Sequence, residues 1–302
     1  MQLLYALAEL RTPFLDALLG ALTNCGGELV FMAAAIIVFW CVSKSCGYYM
    51  LTVGFVGTIV NQFLKLVFRI PRPWVKDPDF QIVESARAEA TGYSFPSGHT
   101  QNVFASFGCL GRWTKRAWLR VVCALLIVVT AFSRMYLGVH TPLDVGVSFG
   151  IGLVLVFALY PLFRDIDSHP KRLYLLFGAM AVLGAAYLLF AELWPFPADV
   201  DAANLASGRK NAYTLLGAVL GMTFAYWLDR RHVHFDVRAV WWAQVLKTVL
   251  GLAITIGLRA ALKAPLLALC GGHNVANLIR YALMVIFAAG IWPMTFGWFG
   301  RL

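Results

Sequence analysis

Long apolar runs broken by short polar clusters set the pattern of this chain. Crossing the hydrocarbon core of a bilayer takes about twenty mostly apolar residues in helical form. Nine stretches are candidates: residues 28–43, 48–68, 98–113, 118–137, 142–163, 172–193, 211–228, 239–262 and 276–297. The pattern predicts an all-α fold, a polytopic transmembrane helical bundle. Ahead of the first span, residues 1–27 repeat apolar side chains at helical spacing, with Glu9, Arg11 and Asp16 among them. An amphipathic N-terminal helix lying in the membrane interface is expected there. A short first spanning helix is the competing reading, and the missing basic n-region argues against a signal peptide. Tryptophans such as Trp40, Trp113, Trp194 and Trp292 fall near span ends, where interfacial belts place them.

Composition agrees with that pattern. Of the 302 residues, 60% are hydrophobic and 13% charged, against about a quarter charged in soluble domains. The formal charge of +10 comes from short basic clusters rather than a continuous stripe, so no nucleic-acid partner is expected. Alternating the spans across the membrane puts Lys44, Arg112, Lys115, Arg116, Arg120, Arg164, Arg230, Arg231 and Arg238 in short loops on one side. The positive-inside bias makes that side cytoplasmic. The opposite side receives the linker 69–97, the turn 138–141 and the loops 194–210 and 263–275. It also receives Lys65, Arg69, Arg72 and Arg134, against the bias, and an anionic ligand accounts for them. None of the six cysteines forms a CxxC pair; they read as small apolar residues.

Three polar stretches reach this outer side. In KLVFRIPRP, Lys65 ends the second span and Arg72-Pro73 opens the linker; alone, such a lysine merely snorkels to the headgroups. In YSFPSGHT, Pro96-Ser97-Gly98-His99 stands where loop becomes helix. A helix N-terminus offers free N–H groups and a positive dipole end, the setting for a phosphate; a plain Pro-Ser cap is the bland reading. In SRMYLGVHTPLD, Ser133 and Arg134 end the fourth span, His140 lies in the turn and Thr141-Pro142 begin the fifth. Asp144 follows His140 by four residues, within reach of the imidazole, where a carboxylate fixes the tautomer and stabilises a charged ring.

Together these residues offer cations, a phosphate-sized nest and two histidines, one with a carboxylate partner. That set suits phosphoryl transfer without a metal: cations hold the equatorial oxygens, one histidine attacks and the other protonates the leaving oxygen. Elsewhere no two histidines and a carboxylate stand at ligand spacing, and no GxxxxGK[ST] or strand-borne GxGxxG occurs. No metal and no cofactor is expected. His169, His232 and His234 read as surface residues of juxtamembrane loops, and His273 as part of a plain outer loop.

The ordered set Lys65-x6-Arg72-Pro73, Pro96-Ser97-Gly98-His99 and Ser133-Arg134-x5-His140-x3-Asp144 resembles the type 2 phosphatidic acid phosphatase superfamily. The resemblance implies that His140 is the nucleophile, forming a phosphohistidine, and that Asp144 orients it. It implies that His99 is the general acid and later the base for water. Lys65, Arg72, Ser97, Gly98 and Arg134 would cradle the phosphoryl group. It covers residues 28–163, plus the sixth span by count. The expected organisation is an interfacial helix at 1–27, a six-span phosphatase core at 28–193, and a three-span C-terminal extension at 194–302. Nine spans are also similar to the glucose-6-phosphatase branch.

The expected activity is metal-independent hydrolysis of a lipid phosphate or polyprenyl diphosphate at the outer membrane face. Membrane lipids are then the partners. A phosphatase for a soluble, sugar-phosphate-like ester and a non-catalytic lipid-phosphate binding or transport protein are the alternatives. A nucleophile with its own orienting carboxylate argues against binding alone. The default location is the plasma (inner) membrane, with the site facing the periplasm or exterior. Asp77, Asp79, Glu84 and Glu89 in the linker would repel some anionic headgroups. Oligomeric state and headgroup are not legible.

Overall fold

The computed structural model describes residues 1–166 and 168–302, and among these all regular secondary structure is helical, with no β-strand. The helices are α1 (Gln2–Glu9), α2 (Pro13–Thr23), α3 (Glu28–Cys41), α4 (Lys44–Phe68), α5 (Pro73–Lys76), α6 (Gly98–Val103), α7 (Cys109–Trp113), α8 (Ala117–Tyr136), α9 (Pro142–Arg164), α10 (Pro170–Leu193), α11 (Ala202–Leu228), α12 (Trp241–Ala261), α13 (Lys263–Leu269), α14 (Val275–Ile286) and α15 (Phe296–Phe299). Among the described residues six helical segments are long and apolar enough to cross a membrane, and the bent pair Pro13–Gly26 and Glu28–Cys41 qualifies jointly. The protein is a polytopic helical membrane protein.

All nine stretches expected to span are helical, but three fall short as single apolar helices. α3 is short and reaches spanning length only with α2, across a 49° bend. The 98–113 segment is interrupted by π-helix at Phe104–Gly108. α11 carries Asn204, Arg209, Lys210 and Asn211 in its first half. The N-terminal stretch, expected as one interfacial helix, is two. Pro13 occupies the first turn of α2 and Thr12 caps it, accepting from Leu15 N–H at 3.3 Å. A proline suits a helix start and cannot continue the previous one.

The chain divides into two compact units. The first comprises Met1–Ala35, Tyr48–Arg164 and Asp201–Leu205. Its linker, residues 69–97, packs onto α2 and the end of α8: Leu19, Ala86, Ala90, Tyr136, Leu137 and Val139 form one buried cluster. Arg11 pins the N-terminus over this layer by donating to Tyr136 O at 3.0 Å and Gln81 O at 2.7 Å. At the other end of the unit, Tyr49 donates to Val156 O, packed among Trp113, Tyr160 and Phe163.

The second unit comprises Ile36–Gly47, Asp165–Val200 and Ala206–Leu302. Asp229 and Lys247, both buried, have partners inside it. Lys44 bonds the nearly inaccessible Asp229 at 2.8 Å and lies over the Phe235 ring. Lys247, fully buried, donates to Trp40 O at 2.9 Å. Satisfying such groups internally is what hydrocarbon demands.

Candidate active site

All eight residues singled out from the sequence lie in the first unit, and helix ends bring them together. α4 delivers Lys65 near its last turn. α6 begins at Gly98 with Ser97 as N-cap, its hydroxyl oxygen accepting from Thr100 N–H at 3.4 Å and Thr100 Oγ1–H at 3.0 Å. α8 ends on Arg134, and α9 starts at Pro142 and carries Asp144 in its first turn. Ser97 N–H donates to Asp144 O at 3.1 Å, tying the starts of α6 and α9 to each other. A Cβ at Gly98 would meet nothing within 4 Å, so this glycine borders open space.

The two arginines differ in what occupies them. Arg72 donates Nε–H to Gly92 O at 3.0 Å, Nη2–H to Thr91 O at 2.6 Å and Nη1–H to Val139 O at 3.0 Å. Its Nη1 also lies 2.9 Å from His140 Nε2. A guanidinium only donates, so Nε2 accepts here and the ring proton sits on Nδ1. Arg72 thus clamps the linker and the His140 turn. Arg134, 1% exposed, has one side-chain partner, Thr23 Oγ1 at 3.0 Å; its buried Nε and Nη2 have none. Lys65 donates to Tyr93 O.

His140 Nδ1 faces Asp144 Oδ2 at 3.5 Å. The same oxygen accepts from Ser94 Oγ–H at 2.6 Å and Thr141 N–H at 2.7 Å. Burial, reinforced by Arg72, Arg134 and Lys65, holds the His140 imidazole below its ordinary range. It is therefore neutral at neutral pH, its Nε2 lone pair accepting from Arg72. His99 Nε2 lies 2.9 Å from Glu89 Oε2, and Asn102 Nδ2–H donates to Gly26 O at 3.2 Å, seating α6 against the end of α2.

Sequence reasoning left several of these partners out. Ser94 belongs to YSFPSGHT, yet its bond to Asp144 joins residues fifty positions apart in a register no helix spacing encodes. Glu89 was read as an acid bordering the site; it reaches His99 because the linker folds back. Thr23 lies in the stretch expected to be interfacial. His169, His232, His234 and His273 take no part in this cluster. Among the described residues no group of three or more His, Cys, Asp or Glu side chains is arranged to hold a metal.

The PAP2 superfamily model matches residues 44–167, and a second model, the transmembrane extension of PAP2 superfamily phosphatases, matches 213–301. The chain belongs to the PAP2 superfamily. The PAP2 match contains every site residue expected from the sequence, whereas Thr23 and Gly26 lie ahead of it. The chain is 27% identical over 241 residues to a probable sphingosine-1-phosphate phosphatase of Dictyostelium discoideum, covering 74% of this chain and 56% of the relative. It is 33% identical over 125 residues to an undecaprenyl-diphosphatase of Bacillus subtilis, covering 40% and 61%. It is 25% identical over 178 residues to phosphatidylglycerophosphatase B of Bacillus subtilis, covering 54% and 80%. The chain thus spans little more than half the length of the first two relatives. No solved structure matches it.

Proposed function

We propose that this protein is an integral membrane phosphatase that hydrolyses a lipid phosphate or polyprenyl diphosphate through a phosphohistidine on His140, without a metal. The observation that carries this reading is the Arg134 guanidinium, buried with its Nε and Nη2 unpartnered, beside a neutral His140. A buried cation without a carboxylate is costly unless an anion meets it, and a guanidinium edge matches two phosphoryl oxygens at once. Lys65, the Ser97 hydroxyl and the N–H groups at the start of α6 complete the cradle, with Gly98 leaving room for the phosphoryl oxygens. Arg72 contributes by turning the donor now on His140 Nε2 toward the phosphoryl group.

In the first step His140 Nε2 attacks phosphorus, the bond to the leaving oxygen breaks, and His99, coupled to Glu89, supplies its proton. Positive charge grows on the His140 ring, and Asp144 stabilises it through the Nδ1–H. In the second step water attacks phosphorus, His99 takes its proton, and the P–N bond breaks to restore His140. The cations stabilise the oxygens in both steps in place of a metal.

The relatives' names favour lipid phosphates and diphosphates as the substrate class, as does a site built at helix ends in a membrane protein. In the site's own unit the basic residues Arg112, Lys115, Arg116 and Arg120 lie around the start of α8, at the opposite end of that helix from Arg134, which supports a site on the outer face of the plasma (inner) membrane. The test is phosphate release by the purified protein from a panel of phosphatidic acid, sphingoid phosphate, polyprenyl diphosphate and a soluble sugar phosphate, with and without EDTA. Release from lipids that survives EDTA is expected. Release from the soluble ester alone, or a strict need for added divalent metal, overturns it.

A further inference from the structure

One helical turn beneath the site, further along each of three helices, lies a second polar layer. Asn61 precedes Lys65 by four residues on α4, Gln101 follows Ser97 by four on α6, and Ser148 follows Asp144 by four on α9. Residues four apart share a helix face, so each lies about 6 Å below its site residue. All three are buried, at 2%, 1% and 0% exposure. Among the described residues none of the side-chain atoms Asn61 Nδ2 and Oδ1, Gln101 Nε2 and Oε1, or Ser148 Oγ has a hydrogen-bond partner.

Helix register brings these groups toward one another, with Gln101 against α4 one turn beyond Asn61. α6 and α9 run side by side, joined above by the Ser97–Asp144 bond and below by Phe104, whose ring meets Phe149 at 4.8 Å. Equal steps down each helix bring Gln101 level with Ser148. On the facing side a Cβ at Gly57 would come 2.2 Å from Gln101 Nε2, so the Gln101 amide lies on the bare backbone of α4. Gly57 is four residues before Asn61, on the same face.

Leaving such groups unpaired in a dry interior is costly. What fits them follows from their chemistry. Two amides and a hydroxyl offer both donors and acceptors and no charge. Phosphate mostly accepts and brings a charge that these neutral groups do not balance; an alkyl chain would strand everything. Water, which donates and accepts and typically makes about three hydrogen bonds when buried, satisfies the set.

We propose that Asn61, Gln101 and Ser148 form a water-binding floor beneath the phosphoryl cradle, which supplies and orients the molecule that hydrolyses the phosphoenzyme. This rests on the phosphohistidine reading above. In the step it serves, the water oxygen bonds to phosphorus, its proton passes to His99, and the P–N bond breaks, its electrons returning to His140. The three residues are positioning residues, and they act on the second half of the reaction only.

The test is rapid-quench kinetics of full-length protein with radiolabelled lipid phosphate, following labelled enzyme, lipid alcohol and phosphate separately. Asn61→Leu and Gln101→Leu make the layer apolar at similar volume. Ser148→Ala removes one hydroxyl and serves where the larger changes impair folding. Labelled enzyme is expected to accumulate and its hydrolysis to slow by about tenfold or more, as when a reacting group loses its positioning, while the first burst of lipid alcohol keeps its rate. Unchanged hydrolysis of the labelled enzyme in all three variants overturns the proposal. So does a loss seen only with leaving alcohols that carry extra hydroxyls, which would place substrate rather than water on the floor. If the wild-type enzyme never becomes labelled, the phosphohistidine reading itself fails.

Discussion

His140 Nδ1 and Asp144 Oδ2 face each other at 3.5 Å, and the carboxylate oxygen between them is already held by Ser94 Oγ–H at 2.6 Å and Thr141 N–H at 2.7 Å. The carboxylate is therefore fixed before any charge develops on the imidazole. Its Oδ1 has no partner, so Asp144 retains acceptor capacity for the Nδ1–H as the ring becomes positive. Replacing it with Asn removes that stabilisation with little change of shape. Asp144→Asn is expected to lower kcat by about 10²–10⁴-fold with little change in KM, and Ser94→Ala by about tenfold, the worth of one charge-assisted hydrogen bond. Phosphate release at saturating and limiting substrate separates the two parameters; a Ser94→Ala loss as large as that of Asp144→Asn would mean that the serine does more than hold the carboxylate.

The environment of His140 sets the pH dependence. Burial and the three nearby cations disfavour its protonated form. Its titration in the folded enzyme therefore lies below the ordinary histidine value of about 6.5, and lowering the pH through 6.5 should not remove the nucleophile. The acid limb of kcat/KM is expected below that value. Arg72→Gln removes a neighbouring positive charge and should move the limb toward higher pH, although it also loosens the Thr91–Gly92 clamp. A pH–rate profile of the free-enzyme parameter checks the sign: a limb that moves to lower pH in Arg72→Gln contradicts this account.

Much of this was legible in the sequence because it is periodic or local. Apolar runs gave the helices their positions. The four-residue step from His140 to Asp144 placed both at one helix start. Pro142 and Ser97 marked the helix starts through their own backbone chemistry. What stayed hidden depends on how non-helical segments fold. The linker 69–97 has no repeat from which to infer that Glu89 returns to His99, or that Arg72 is spent largely on linker carbonyls. The π-helical turn at Phe104–Gly108 carries no sequence signal. Asn61, Gln101 and Ser148 read individually as ordinary polar residues within apolar runs, and only the register between α4, α6 and α9 makes them a layer.

Glu89 is the clearest of the residues the sequence did not single out. Its carboxylate is half exposed and lies 2.9 Å from His99 Nε2. Burial and the Arg134, Arg72 and Lys65 charges push the His99 imidazole down to about 3, and the Glu89 carboxylate, with the phosphoryl charge of a bound substrate, acts the other way, toward the protonated ring that the first step needs. Glu89→Gln keeps the size and a hydrogen bond but loses the charge. It is expected to slow turnover most for substrates with poor leaving groups, by about tenfold or more, and least for an activated aryl phosphate whose leaving oxygen needs no proton. Equal losses across leaving groups would show that Glu89 shapes the site without serving proton transfer.

Arg134 presents a planar edge to the cradle, and Thr23 holds its far side. A lysine carries the same charge but cannot make two parallel bonds to one phosphoryl group. Arg134→Lys is expected to cut kcat/KM by about a hundredfold, whereas Thr23→Val, which removes one bond from the back of the guanidinium, should cost about tenfold or less. Titration with vanadate, which resembles a phosphoryl group in its transition-state geometry, gives a readout besides turnover: its inhibition should weaken in Arg134→Lys by a factor similar to the loss in kcat/KM.

The seat of α6 offers a test that touches no reacting group. Gly26 lies where a Cβ would come within 2.6 Å of His99 O and 2.9 Å of Thr130 Cγ2, and its own carbonyl accepts from Asn102 Nδ2–H. Backbone against backbone cannot yield as a flexible side chain can. Gly26→Ala must therefore push the start of α6 away from the end of α2, carrying Ser97 and His99 with it. A displacement of a few tenths of an ångström spoils the alignment of the cradle with His140 before it unfolds a helix bundle. Activity is expected to fall by about tenfold or more, while the denaturation midpoint in detergent drops by only a few degrees, as for a change of about 1–3 kcal/mol in a packed interior. Asn102→Ala, which removes the bond but adds no bulk, should be milder on both measures. If Gly26→Ala loses stability and activity in proportion, with the remaining folded protein fully active, the glycine serves packing alone and the placement of His99 does not depend on it.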